Sequence, residues 1–308
     1  MSTKTSTSPA EFIQPLIMNG LRGRMLRMPA PKGKKREILF VYGHHSSLER
    51  WWGVAQELNR YGTVTIPDLP GFGGMESFYK IGLTPTIDNL ADYLAAFVKL
   101  RYKHKKVAIA GLSFGFVVVT RMLQRCPDLA DKVELLVSVV GFTHRDDFNF
   151  SKSRHFMYLQ AARFFSNRWS ALFFRNIFLQ PWVLRAGYAR THNAREKFDK
   201  LKPGQKKAMM DFEIYLWRCN DVRTYMITAT EFLTLNNCKT HVNMPVWHVS
   251  MKDDHYFDKE LVEQHMSVTF AAYYSAPSRM HGHGPSVIAD ARQVAPMIPA
   301  KIRRLLKG

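Results

Sequence analysis

Gly111-Leu-Ser113-Phe-Gly115 sets a serine between two glycines, after the apolar run Val107-Ala-Ile-Ala and before a stretch of helical character ending near Cys126-Pro127. A serine on a sharp strand-to-helix turn is exposed above the carboxyl edge of a sheet, and the glycines remove side chains that would collide across the turn. The helix N-terminus behind it offers unpaired N–H groups to a developing oxyanion. The pentapeptide alone also reads as a Gly-rich turn without chemistry; its strand–turn–helix setting is what makes it specific. A serine hydroxyl is a poor nucleophile at neutral pH and needs a base within hydrogen-bond reach, oriented by an acid. Among twelve histidines, His281 and His283 in Met280-His-Gly-His-Gly-Pro285 follow the last predicted strand, and Asp253, Asp254 and Asp258 follow the strand Pro245–Val249. Asp258 also suits a helix N-cap.

The elements that must position these residues alternate between strand and helix. Glu37–Gly43, Val64–Ile66, Val107–Gly111, Val133–Val140, Pro245–Val249 and Ala271–Ser275 read as short buried strands. Helical spacing covers Leu48–Arg60, about Thr86–Arg101, the segment after Ser113, Lys259–Met266, and Val287–Leu306 with interruptions near Pro296 and Pro299. Repeated strand–helix units predict an α/β fold with a mostly parallel central sheet flanked by helices.

At these motifs the chain resembles the α/β-hydrolase family, over nearly everything from Glu37 onward. Tyr42-Gly43-His44-His45 resembles that family's His-Gly-x-x loop, with Tyr42 in place of the usual His, and Asp68-Leu-Pro-Gly-Phe-Gly73 resembles its D-x-P-G-x-G turn. The resemblance implies Ser113 as nucleophile, an acid after the penultimate strand and a His after the last. It favours His283, whose Gly-His-x-Pro setting is similar to the family's terminal His loop, and leaves His281 a structural role. Laying the family's Gly-x-x-Asp on the chain puts Met251 at the Gly and Asp254 at the acid, with Asp253 one residue out of register. The implied oxyanion donors are the backbone N–H groups of His44 and Phe114. The family inserts a helical cap between its sixth and seventh strands, here residues 144–240, leaving 1–143 and 241–308 as the core, with the first nine or so residues disordered.

The 308 residues carry a formal charge of +19, with 46% hydrophobic and 13% aromatic residues, which is enough apolar material for a sizeable core and excludes a compositionally disordered chain. The charge is uneven: +7 over residues 1–36, +9 over 144–240 and +4 over 301–308, against −1 for the remainder, which holds the candidate catalytic residues. Three widely spaced cysteines argue against a disulfide framework or a Cys-based zinc site and favour a reducing compartment. The polar N-terminus lacks the apolar stretch of a secretory signal, and no segment reaches the ~18 apolar residues of a membrane span, so a cytoplasmic location is expected. Phe, Tyr and Trp recur every three to four residues from Phe156 to Trp182, interleaved with Arg163, Arg168, Arg175 and Arg185. Three readings follow: a lid burying its apolar face on the core, a roof over an apolar acyl or aromatic substrate, and a basic aromatic surface for an anionic membrane.

The leading expectation is a serine hydrolase cleaving a carboxylic ester through an acyl-enzyme with Ser113, His283 and Asp254. Acyl transfer and C–C bond hydrolysis share that machinery, while haloalkane dehalogenase and epoxide hydrolase chemistry call for Asp at the elbow. A non-catalytic ligand-binding protein on the same scaffold is the alternative from a different class. No metal or organic cofactor is implied. Nucleic acid is disfavoured as a partner, because no zinc-finger or RRM signature accompanies the basic excess.

Overall fold

The computed structural model describes residues 8–190, 203–282 and 291–307. Eight strands form one sheet: β1 (Ile13–Met18), β2 (Leu21–Met28), β3 (Arg36–Val41), β4 (Gly62–Pro67), β5 (Val107–Leu112), β6 (Val133–Val139), β7 (Val242–Val249) and β8 (Phe270–Ser275), in the order β1-β2-β4-β3-β5-β6-β7-β8. β1 and β2 pair antiparallel and β2 joins β4 antiparallel; every other pairing is parallel. The expected mostly parallel sheet is therefore present, with an antiparallel hairpin that the strand reading did not include. That hairpin closes through Asn19-Gly20, both at positive φ, the signature of a tight two-residue turn matching the twist of its strands.

β3, β4 and β5 are buried over almost their whole length, as central parallel strands covered on both faces must be. On one face, Ile38, Phe40, Ala108 and Ala110 meet Val54 and Leu58 of helix α1 (Trp52–Asn59) and Ile302 and Leu306 of the C-terminal helix. Helices α2 (Ile87–Arg101) and α3 (Phe114–Arg125) pack together. Thr86 caps α2 by accepting from Asn89 N–H at 3.1 Å, so the predicted start of that helix is its cap.

Among the described residues, five helices lie between β6 and β7: α4 (Lys152–Phe165), α5 (Arg168–Ile177), α6 (Pro181–Arg190), α7 (Pro203–Cys219) and α8 (Val222–Phe232). Residues 144–151 run instead along the core, anchored by Asp147. This fully buried carboxylate accepts from Thr143 N–H, His144 N–H and the His265 ring. His265 belongs to α9 (Lys259–Thr269), whose N-cap is Asp258: its carboxylate accepts from the N–H groups of Glu260 and Leu261, the capping role its sequence position predicted. The C-terminal stretch breaks where its prolines stand, into α10 (Ala291–Val294), a 3₁₀ turn at Ala295–Met297 and α11 (Ala300–Lys307). At the other end, Ser8 caps a 3₁₀ turn over Pro9–Phe12, so residues 8 and 9 of the stretch expected to be disordered are ordered; residues 1–7 lie outside the described residues.

Candidate active site

Ser113 joins the last residue of β5 to the first residue of α3 with φ 49° and ψ −121°, a conformation that costs a non-glycine residue about 1–3 kcal/mol. The surrounding bonds hold it there: Ser113 N–H donates to Val139 O of β6 at 2.9 Å, and Ser113 O accepts from Phe116 N–H at 2.9 Å. Two glycines make the turn sterically possible. A Cβ on Gly111 would stand 2.6 Å from Phe116 Cα, and one on Gly115 would stand 2.3 and 2.4 Å from the carbonyl oxygens of Val41 and Tyr42. The serine turn is thus pressed against the end of β3. Among the described residues, four of the five non-glycine residues at positive φ, namely His45, Ser113, Val140 and Asp253, follow the carboxyl ends of β3, β5, β6 and β7. Backbone strain is gathered along the one edge that holds the candidate residues.

The loop after β3 lies beside the serine, since a Cβ on Gly43 would meet Ser113 Cβ at 3.3 Å. Phe114 opens α3, and the first N–H groups of a helix have no acceptor within it. The His44 ring is wedged among Phe72, Phe114, Tyr225 and Phe232, with Nε2 2.8 Å from Thr228 Oγ1. Thr228 donates its own hydroxyl to Thr224 O, so the Nε2–H tautomer of His44 satisfies both groups. Burial, helped by His45, lowers the His44 pKa to about 3, which keeps the ring neutral at pH 7.

Tyr42, the residue that departs from the resembled loop, is buried and donates its hydroxyl to Asp68 Oδ1 at 2.5 Å. Arg24 of β2 completes the cluster, bonding Asp68 at 3.2 Å, Glu49 at 2.7 Å and the carbonyl of Gly73 at 2.5 Å. Burial pushes the Asp68 carboxyl above its ordinary range, against the pull of Arg24 and Tyr42. A phenol therefore ties the start of the β3 loop to the Asp68–Gly73 turn. That turn is held in place by the inserted helices: Gly73 N–H donates to Asn220 Oδ1 at 2.9 Å, Gly74 N–H to Cys219 O at 3.0 Å, and Asp221 N–H to Gly71 O at 2.8 Å. Gly71 to Gly74 thus serve to dock the insertion on the core.

The acidic and histidine loops are zipped together. Ala276 N–H donates to His248 O, Ser278 N–H to Ser250 O, Lys252 N–H to Met280 O and Gly282 N–H to Lys252 O, at 2.8–3.0 Å. Asp253 points outward and pairs its carboxylate with His281 Nδ1 at 2.8 Å, both side chains being largely exposed. Asp254 is less exposed; its Oδ1 accepts from Tyr256 N–H at 2.9 Å, and its charge is felt by buried His248 at the end of β7. His281 and Asp253 are thus each other's partners across the two loops. His283 lies outside the described residues.

Ser113 opens on a cavity of about 620 Å³. Its walls combine Gly43, His44 and Phe114 with Phe142, Phe148 and Phe257 of the core side, and with Tyr158, Phe165, Phe174, Trp217, Tyr225 and Phe232 of the inserted helices. One corner is polar. Arg50 bonds Glu213 of α7, and the His45 ring lies tilted against Trp217, ring centres 4.1 Å apart, with Nε2 3.5 Å from Glu213. Burial lowers the His45 pKa despite that carboxylate. Glu213, Thr228 and Asn220 are site or docking partners that sequence reasoning missed. Each is supplied by the insertion, more than a hundred residues from the group it contacts, and no local pattern marks it.

Solved structures similar to this chain include a hydrolase from Oleispira antarctica (TM-score 0.65, 12% identity, covering 92% of this chain and 94% of that one). An esterase from Thermogutta terrifontis (TM-score 0.58, 15%, covering 96% of each) and a mutant of an epoxide hydrolase from Bacillus megaterium (TM-score 0.61, 14%, covering 95% and 99%) are similar over the same extent. The chain thus has the α/β-hydrolase fold. No protein-family model matches the sequence, and no curated protein matches it.

Proposed function

We propose that this protein is a serine hydrolase that cleaves carboxylic esters of apolar or aromatic acyl groups, with Ser113 as nucleophile, His283 as general base and Asp254 as the carboxylate that orients it. The observation that carries the reading is Ser113 itself: a strained serine at the β5–α3 junction, facing a large aromatic-lined cavity. The hydrolase, esterase and epoxide hydrolase of the same fold support hydrolytic chemistry, and a serine at the elbow favours the acyl-enzyme route among them.

His283 takes the Ser113 Oγ proton as Oγ attacks the ester carbonyl carbon. The tetrahedral oxyanion lies against the N–H groups of His44 and Phe114, whose approach is set by the close packing of Gly43 and Gly115. Collapse expels the alcohol, which receives the proton from His283; a water then repeats the sequence on the acyl-enzyme and frees the acid. The bonds from Gly282 N–H to Lys252 O and from Lys252 N–H to Met280 O support this assignment, because the chain enters position 283 from a residue fastened two positions before Asp254. The aromatic walls give an apolar acyl chain its binding energy, and the Arg50–Glu213–His45 corner offers a polar station for a substrate hydroxyl or amide.

The test is hydrolysis of a series of p-nitrophenyl esters by the wild type and Ser113→Ala. The reading expects a burst of one p-nitrophenol per chain, activity rising from acetyl to longer or aromatic acyl groups, and loss of both on Ser113→Ala. Turnover surviving Ser113→Ala would refute it; a tightly bound ester that is never turned over by folded wild type would favour the ligand-binding alternative.

A further inference from the structure

The inserted helices present two apolar faces, and only one is used by the cavity. Phe165 and Phe174 of α4 and α5 turn inward to line it, with half-exposed Tyr158 at its rim. On the outward side of α5, Trp169, Leu172, Phe173 and Ile177 follow one another at helical spacing, and all are exposed, Trp169 by 79%. Phe178 lies beside Phe173, ring centres 6.0 Å apart, and Phe156 and Phe164 of α4 and Trp182 at the start of α6 are exposed as well, Trp182 by 72%. Of the three readings of this stripe, burial against the protein holds for only part of it. The inward positions on α4 and α5 are taken by Ala162 and Ala171 with Phe165 and Phe174, and the larger share of the aromatic stripe is left in solvent. An exposed apolar surface of this continuity calls for a partner.

The charges around it identify the partner's chemistry. From Phe148 to Arg190 the chain contains seven Lys and Arg and no Asp or Glu. Arg168, whose guanidinium lies over the Trp169 ring, and Arg175, which also donates to Arg218 O of α7 at 3.3 Å, border the apolar stripe of α5 along one side, and Arg154 and Arg163 stand on α4. Arg185 of α6 pairs away from the patch, with Asp211 of α7 at 3.3 Å. A helix face of Trp, Phe, Leu and Ile with Arg along its margins suits the boundary between acyl chains and anionic headgroups, where aromatic rings insert and guanidinium groups reach the phosphates. A second copy of the chain fits badly, because a two-fold contact would oppose the same cations across an apolar seam that offers them no carboxylate.

We infer that the outer face of α4–α5, continued by Phe178 and Trp182, is a docking surface for an anionic lipid bilayer. Bound in this way, the protein rests on the membrane with the helices that line the Ser113 cavity lying between that cavity and the lipid. The docking is independent of the proposed hydrolysis, so either can fail without the other.

Flotation with lipid vesicles tests it, using vesicles of phosphatidylcholine alone and with about a third phosphatidylglycerol. Wild type and Ser113→Ala should both float with the anionic vesicles, weakly or not at all with the neutral ones, and less as salt is raised. Trp169→Ser/Phe173→Ser should lower the partition coefficient by about tenfold or more, and Arg168→Gln/Arg175→Gln should do so on anionic vesicles only. Because all four side chains are exposed, circular dichroism and thermal melting should match the wild type, and turnover of a soluble short ester should be unchanged. No flotation with anionic vesicles, or equal flotation of the Trp169→Ser/Phe173→Ser variant, overturns the inference. So does a concentration-dependent dimer abolished by that same variant, which would make a second copy the occupant.

Discussion

Replacing Gly115 with alanine sets two effects of opposite sign against each other. Gly115 is the second residue of α3, and an alanine there would stabilise an unhindered helix by about 1 kcal/mol relative to glycine. The added Cβ, however, would stand 2.3 Å from Val41 O and 2.4 Å from Tyr42 O. An ordinary C···O contact is about 3.3 Å, so the end of β3 and the start of α3 must part by about 1 Å. Both partners are backbone in the centre of the sheet, with no flexible side chain to yield. Overpacking of this kind costs about 1–3 kcal/mol, so the net change is a destabilisation of up to about 2 kcal/mol. The displaced segments are those carrying the N–H groups of His44 and Phe114, and a 1 Å misplacement of reacting groups lowers turnover by about a hundredfold. Thermal melting and steady-state ester kinetics read the two effects separately. A Gly115→Ala protein that melts above wild type and keeps its kcat would refute the close approach of β3 and α3 as the device that sets the proposed oxyanion site.

Three further substitutions probe the surrounding structure. Tyr42→Phe removes the hydroxyl from buried Asp68 and should lower stability by about 1–3 kcal/mol in chemical denaturation; an unchanged midpoint would contradict the bond. Asp254→Asn should reduce kcat by about 10³–10⁴-fold while Asp253→Asn, altering only an exposed pair with His281, leaves it near wild type; the reverse ranking would move the acid to Asp253. Burial, only partly opposed by Asp254, lowers the His248 pKa from 6.5 to about 4. The folded chain therefore binds fewer protons than the unfolded one, and stability falls as pH drops through 6.5 toward 4. Between pH 7 and pH 5 this group alone should cost about 2 kcal/mol. The stability lost between the two pH values should shrink by about 2 kcal/mol in His248→Gln, leaving the share that buried His44 contributes, and an identical pH slope in wild type and variant would refute the assignment.

The legible parts of this molecule are those whose signal is local. Val107–Ser113 reads correctly because a buried parallel strand is an unbroken apolar run and the turn after it needs its glycines. Thr86 and Asp258 read correctly because a cap is defined by the first turn of its own helix. The β1–β2 hairpin escaped because Arg22, Arg24 and Arg27 interrupt the alternation that marks a strand, although Asn19-Gly20 carries a turn signal. Arg24 stands among these charges because its guanidinium is consumed inside the protein, by Asp68, Glu49 and Gly73 O, a use visible only once β2 is placed beside β4. The aromatic stripe of the insertion is legible as a helix face but leaves three readings open. Spacing of three to four residues identifies a helix face and is silent on whether that face meets the core, a substrate or a lipid.

The central claim is that Ser113 is an activated nucleophile. Treatment with a fluorophosphonate probe, followed by intact-mass measurement and peptide mapping, tests it most directly. The account predicts a single adduct per chain, mapped to Ser113, absent in Ser113→Ala and slowed by Asp254→Asn. Folded wild-type protein that stays unmodified, or an adduct that maps to another residue, would contradict it.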